Sequence, residues 1–244
     1  MMTIDDAEHY TPERRAEIIS GYPSHERDAR SKGIPVLGSG AVFPVADEDI
    51  TVAPFPIPDY WPQINGVDFG YDHPFGGVNC AWDRDSDTFY VCKEYTVRQQ
   101  GPIMHAAAMK PWGWWIPTAW PHDGLQHDKG GSCEELASQY RKEGLNMLPQ
   151  RATFPDGGNG VEAGVLEMLD MMQTGHWKVF STCGSWFSEK RLYHRKDGQI
   201  QKIKDDVLSA SRYAYMMRRF ASVFKRPQQG PKMPSTLPRG WQGR

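Results

Sequence analysis

Several absences narrow this chain before anything present in it is weighed. Its four cysteines, Cys80, Cys92, Cys133 and Cys183, form no C-x-x-C pair and have no histidine at zinc-ligand spacing. That pattern speaks against a zinc knuckle and for buried thiols in a reducing compartment. No apolar run approaches the roughly 20 residues that span a bilayer, and Met1-Met2-Thr3-Ile4-Asp5-Asp6 has neither the basic nor the apolar region of a signal peptide. The expectation is a soluble intracellular protein with no membrane partner. No G-x-x-x-x-G-K-[ST] loop occurs, so the chain by itself is not expected to hydrolyse ATP. Excess charge is also scarce, at −2 overall, but it is unevenly spread. From Ser185 to Arg244 there are 14 Lys and Arg against 4 Asp and Glu, leaving 14 against 26 in the first 184 residues. A basic C-terminal third beside an acidic body suits acids that bind metal and cations that meet phosphates; a solvated basic face is the plainer reading.

What is present is an ordered pattern of strands and helices between a Pro- and Gly-rich lead-in and a Pro- and Gly-rich tail. Thr11-Pro12-Glu13-Arg14 is an N-cap with proline at the first helical position, predicting a short helix that stops at Gly21, and a second charged helix is expected over Ser24 to Lys32. Pro54, Pro56, Pro58 and Pro62 then mark a linker. Strands are predicted at Ile64 to Tyr71, Gly77 to Trp82 and Thr88 to Val97, with a polar turn over Asp83 to Asp87. A helix over Pro102 to Lys110 and a strand over Trp114 to Trp120 follow. Further helices are expected from Ser132 to about Gly144 and from Val161 to Gln173, then a strand over Lys178 to Thr182 and a hairpin turning at Lys196-Asp197-Gly198. The last helix is expected to run from Asp205 to about Phe224.

Three acidic positions stand out on this frame. Asp68 lies among apolar residues in the first strand, where a carboxylate is costly to bury unless a cation or donors meet it. Asp123 closes the fourth strand in Pro121-His122-Asp123-Gly124, and Asp205-Asp206 opens the last helix. Acids on rigid elements are what a two-metal phosphodiester site requires, because Mg²⁺ and Mn²⁺ prefer oxygen ligands. Each also has a plain structural reading as a turn or capping residue. His73, His122 and His127 are candidate supporting donors, and Lys190, Arg191, Arg195, Lys196, Lys202 and Lys204 form a candidate DNA-phosphate contact. Asp128, Asp156 and Glu162 are read as capping or solvated, and Trp112, Trp114, Trp115 and Trp120 as core aromatics.

Gly66-Val67-Asp68-Phe69-Gly70 with His73-Pro74, Pro121-His122-Asp123-Gly124, and Lys204-Asp205-Asp206-Val207-Leu208-Ser209-Ala210-Ser211-Arg212-Tyr213-Ala214 carry a resemblance. In this order they resemble the nuclease domain of bacteriophage large terminase subunits, the DNA-packaging motor proteins. Tyr10 to Val45, with His25-Glu26-Arg27 and Gly33-Ile34-Pro35, is similar to the linker joining that family's ATPase to its nuclease. The resemblance implies an α/β ribonuclease H-like fold, a mixed sheet with three antiparallel strands followed by helices and parallel strands. It implies a linker over 1–60 and a nuclease domain over 61–226, while the Pro- and Gly-rich composition predicts a disordered basic tail over 227–244. The activity implied is a two-metal endodeoxyribonuclease using Mg²⁺ or Mn²⁺ held by Asp68, Asp123, Asp205 and Asp206, cutting concatemeric viral DNA in the host cytoplasm and absent from the mature virion. Implied partners are double-stranded DNA, the portal protein, an ATPase domain and the small terminase subunit. A resolvase or transposase of the same fold, and a non-catalytic module that docks a motor on a portal, are the competing readings.

Helical spacing further puts Asp206 in line with Ala210, Tyr213, Met217, Phe220 and Phe224, an apolar stripe facing the sheet, and leaves Asp205 as the helix cap. Asp206 is therefore expected to be the more direct ligand.

Overall fold

The computed structural model describes residues 10–22, 40–125, 135–201 and 203–224. The helix expected over Ser24 to Lys32, the start of the one expected at Ser132, and the tail over 227–244 lie outside them. So do Cys133, His127, Asp128 and Lys202.

The first described element, α1 (Pro12–Ser20), opens as its sequence requires: Thr11 Oγ1 accepts from the amide of Arg14 at 3.3 Å, and Gly21 follows the last turn. The sheet has six strands: β1 (Thr51–Val52), β2 (Gln63–Asp68), β3 (Phe75–Asp83), β4 (Thr88–Val97), β5 (Thr118–Ala119) and β6 (Trp177–Phe180). Their spatial order is β1-β6-β4-β3-β2-β5. β2, β3 and β4 pair antiparallel, while β5 on β2, β6 on β4 and β1 on β6 are parallel. Only the antiparallel strands can be joined by tight turns; each parallel one is reached by a helical crossover. Among the described helices, α2 is Asp47–Ile50, α3 Pro102–Met109, α4 Leu136–Lys142, α5 Val161–Gln173, α6 Gly184–Leu192 and α7 Asp206–Met216.

Strand periodicity sets which helix covers which face. Successive residues of β3 point to opposite sides, so Phe75 and Gly77 meet α3, through His105 and Met109, while Gly76 meets the backbone of α7. Helices on both faces bury a continuous core that includes Ile64, Val67, Phe75, Val91, Trp120, Trp177 and Trp186.

The structure corrects the sequence reading in four places. The lead-in is part of the folded unit well before residue 61: Val42, Phe43, Val45 and Ile50 are buried, β1 extends the sheet, and Val42 N donates to Tyr193 O at 3.0 Å. The expected strand over Trp114 to Trp120 shrinks to Thr118–Ala119, and Trp114 is 70% exposed, so only Trp120 of that quartet is a core residue in full. Helix α6 was not foreseen, because its GSWFSEKRL sequence has no clean apolar stripe. The final helix ends at Met216, short of Phe224, and is buried nearly all round, while Phe220 and Phe224 stay exposed. The hairpin is where it was expected: β7 (Arg195–Lys196) pairs with β8 (Gln199–Ile200), and Asp197 and Gly198 both take positive φ, as a two-residue primed turn demands.

Candidate active site

Two glycines deliver Asp68 to the start of α7. A Cβ at Gly66 would strike the carbonyl of Ala210, and one at Gly76 the carbonyl of Asp206, so the helix backbone lies directly on the sheet. Residues two apart on a strand share a face, so Asp68 is on the same side as Gly66. Its register partner is Gly76, the residue beneath Asp206. The carboxyl of Asp68 is thereby aimed at the first turn of α7. It is the last residue of β2 rather than its centre, half-buried instead of enclosed.

Asp123 arrives from the neighbouring strand. β5 runs parallel to β2, with Asn65 opposite Thr118 and Gly66 opposite Ala119, so both chains leave the sheet at the same end. Beyond β5 the chain enters a 3₁₀ turn, His122–Leu125, where a side chain at Gly124 would collide with Trp120 and Phe69. That contact lays the turn flat against the core and holds Asp123 on the rim, exposed.

The electrostatics follow from this placement. Burial, then Asp205 and Asp206, pushes the Asp68 carboxyl up to about 8; Asp123 adds to the rise and the buried Arg212 opposes it. Asp206 is also raised, by burial first and Asp205 second, with His73 and Arg98 pulling the other way. Four carboxyl groups thus share one neighbourhood at a net electrostatic cost. They are hard oxygen donors, the kind a divalent cation takes, and a cation would relieve that cost. Among the described residues no three His, Cys, Asp or Glu side chains form a ready-made metal cluster, so the acids are neighbours without being a closed cage.

The expected cap is replaced by a residue the sequence reading missed. Asp205 makes no side-chain cap on α7. Glu189, on α6, does that work from a distance in sequence: its Oε2 accepts from the amides of Val207 at 2.9 Å and Leu208 at 3.1 Å. Burial pushes Glu189 up to about 9, with the two amides opposing and Asp206 and Asp205 reinforcing the rise. Asp205 raises the Asp68 carboxyl more than Asp206 does, while Asp205 Oδ2 accepts from Ser209 Oγ at 3.4 Å. The only sequence signal for Glu189 was an acid amid apolar residues at 186–187, and nothing local linked it to residue 207.

The basic candidates separate. Lys190 is buried, donating to Asp47 Oδ1 at 2.8 Å and to the Val45 carbonyl, and Arg191 meets Asp47 Oδ2 at 2.7 Å. These two lock the lead-in to α6 and are not available to DNA. Arg195 is held bidentate by Glu162, at 2.8 and 2.6 Å. Lys196 is exposed on the hairpin, and Lys204 lines a cleft of about 620 Å³ with Arg98, Glu94, Glu189 and Asp206. Glu94 is occupied there, accepting from the amides of Ser185 and Trp186 at 2.8 Å each. His73 and His122 are exposed, and Asp156 closes its own turn on Gly158 N at 2.8 Å. Cys80, Cys92 and Cys183 are buried free thiols.

Residues 65–218 match the model of the terminase RNaseH-like domain, and residues 1–50 match that of the N-terminal part of the T4-like terminase large subunit. The chain is 48% identical over 239 residues to the terminase large subunit of Salmonella phage P22, covering 97% of this chain and 48% of that protein. It is 50% identical over 218 residues to that of Enterobacteria phage LP7, covering 89% and 46%. The chain thus spans about half the length of these relatives. The solved P22 large terminase nuclease domain superposes with a TM-score of 0.72 at 48% identity, over 76% of this chain and 96% of that one. The large terminase of the thermophilic bacteriophage D6E shares the fold at 16% identity, with a TM-score of 0.58 over 91% and 55%. With residues 65–218 matched by that model and a mixed sheet of the ribonuclease H type, the chain belongs to the terminase RNaseH-like domain family.

Proposed function

We propose that this chain is a divalent-metal-dependent endodeoxyribonuclease that cuts concatemeric viral DNA during genome packaging. The observation that carries the reading is the placing of Asp68 at the end of β2, Asp123 in the turn beyond β5, and Asp205 and Asp206 at the start of α7, where burial first and these acids second raise the Asp68 carboxyl. Such mutual repulsion is unfavourable in a purely structural cluster and useful where a cation binds.

Asp68, on which the other three acids act, would hold the cations together with Asp205, Asp206 and Asp123. When bound, Mg²⁺ or Mn²⁺ supplies positive charge to the attacking water and to the departing 3′-oxygen of a phosphodiester. The protein's own work is positional. Glu189 fixes the first turn of α7, the glycine contacts at 66 and 76 fix its height above the sheet, and Arg98 and Lys204 border the acids where a phosphate backbone would lie. As part of a packaging motor the domain would act on double-stranded DNA beside an ATPase domain, a portal protein and a small terminase subunit, in the host cytoplasm.

Plasmid nicking in millimolar Mn²⁺ tests the reading. Nicking that stops on adding chelator, and that is lost in Asp68→Asn, supports it. Protein that binds DNA but leaves plasmid intact under every metal condition refutes it.

A further inference from the structure

A second cleft, of about 480 Å³, is lined by Phe69, Tyr71, Gln100, His105, Gln139 and Tyr140 as well as Asp123 itself. No Lys or Arg lines it, so it is poorly suited to phosphate. Its size suits one nucleoside rather than a duplex. Its walls are aromatic: Tyr71 is 62% exposed, and Phe69 packs on Tyr140 with ring centroids 5.0 Å apart.

Two polar atoms beneath the cleft lack partners. His105 is 1% exposed and stacked on Phe75; its Nδ1 meets Tyr140 Oη at 2.7 Å, while Nε2 is buried with no hydrogen bond. Burial brings the His105 pKa down to about 4, which keeps the ring neutral. The amide nitrogen of Gln139 is likewise buried without a partner. Unpaired buried polar groups are costly, and two in one cleft point to a ligand with a polar edge. Gln100 adds an amide to the lining, its Oε1 accepting from Tyr95 Oη at 3.0 Å.

We propose that this cleft receives one unstacked nucleobase of the DNA strand adjacent to the phosphodiester at the acids. The inference rests on the nuclease reading above and adds to it a substrate contact. An aromatic lip would hold any base face, and a neutral amide-lined floor would meet its polar edge, so the contact tolerates sequence while still requiring a base. The cleft bordered by Arg98 and Lys204 takes backbone, and the aromatic cleft, which Asp123 borders, takes a base.

The test is cleavage in Mn²⁺ of end-labelled duplexes that carry a single abasic site, with the rate at every phosphodiester read from the product ladder. Wild-type protein should show a gap of about tenfold at a fixed offset from the lesion, moving as the lesion moves. Tyr71→Ala and Gln139→Ala, on an exposed and a half-buried side chain, should cut intact DNA about as slowly as wild type cuts at the lesion, and should show no gap. A ladder that ignores the lesion while cleavage proceeds overturns the base pocket and leaves the nuclease standing. A gap equally deep in both variants overturns it too. Absence of any metal-dependent cleavage removes the nuclease reading and the pocket together.

Discussion

Asp68 carries two consequences at the scale of a single residue. Its folded-state pKa, raised from 3.8 to about 8, means the folded protein holds this proton more tightly than the unfolded chain does. That contribution to stability is complete below the unfolded value and is lost as pH rises towards about 8. The metal-free melting temperature should therefore fall between about pH 5 and pH 8, and Asp68→Asn should flatten the fall; equal slopes in thermal melts would contradict the assignment. Asp68→Asn and Asp123→Asn should each lose most Mn²⁺-dependent cleavage and stay folded, since each removes a charged oxygen at constant volume. For the adjacent acids the structure alters the expectation drawn from helical spacing. Asp205 raises the Asp68 carboxyl more than Asp206 does, so Asp205→Asn should impair nicking at least as much as Asp206→Asn. A side-by-side assay in which only Asp206→Asn is defective would restore the original order.

At the scale of elements, the site depends on how α7 is seated. Gly66→Ala and Gly76→Ala would each force the helix off the sheet and should cost roughly 1–3 kcal/mol in denaturant unfolding, because the obstacle is backbone and cannot rotate away. Glu189→Ala should cost about 1–2 kcal/mol by leaving the amides of Val207 and Leu208 without their acceptor, and Glu189→Gln should recover part of it. Unchanged stability in the alanine variant would show that water satisfies those amides equally well. The same elements show what the sequence could and could not reveal. The alternation of Phe89, Val91 and Lys93 located β4 to the residue, and the 3.6-residue pattern over Val161–Gln173 located α5 equally well. Asp197-Gly198 announced its turn. Local pattern failed where a distant partner decides the outcome: β1 is a strand only because β6 lies beside it, and α6 is anchored at its start by Glu94. The acids were visible as residue types in order, whereas Glu189 and the pocket over His105 exist only once residues far apart in sequence are packed together.

At the scale of the whole molecule, the nuclease unit reaches back through residues 41–60 by way of β1 and the Asp47 ion pairs. Truncation at residue 61 would strip the partner from buried Lys190, and breaking such a pair costs roughly 3–5 kcal/mol, so a protein starting there should express as unstable or aggregated. One starting at residue 40 should melt cooperatively. If the shorter form melts like the longer, the lead-in is an accessory and not part of the fold. The account as a whole rests on carboxylates gathered at α7 that repel one another until a cation joins them. Thermal melts of wild type and Asp68→Asn, each with chelator and with millimolar Mn²⁺ at about pH 8, address this most directly. The account predicts that the variant is at least as stable as wild type in chelator, and that Mn²⁺ raises the wild-type midpoint while leaving that of the variant nearly unchanged. A variant that is less stable in chelator, and that responds to Mn²⁺ as fully as wild type does, would contradict it.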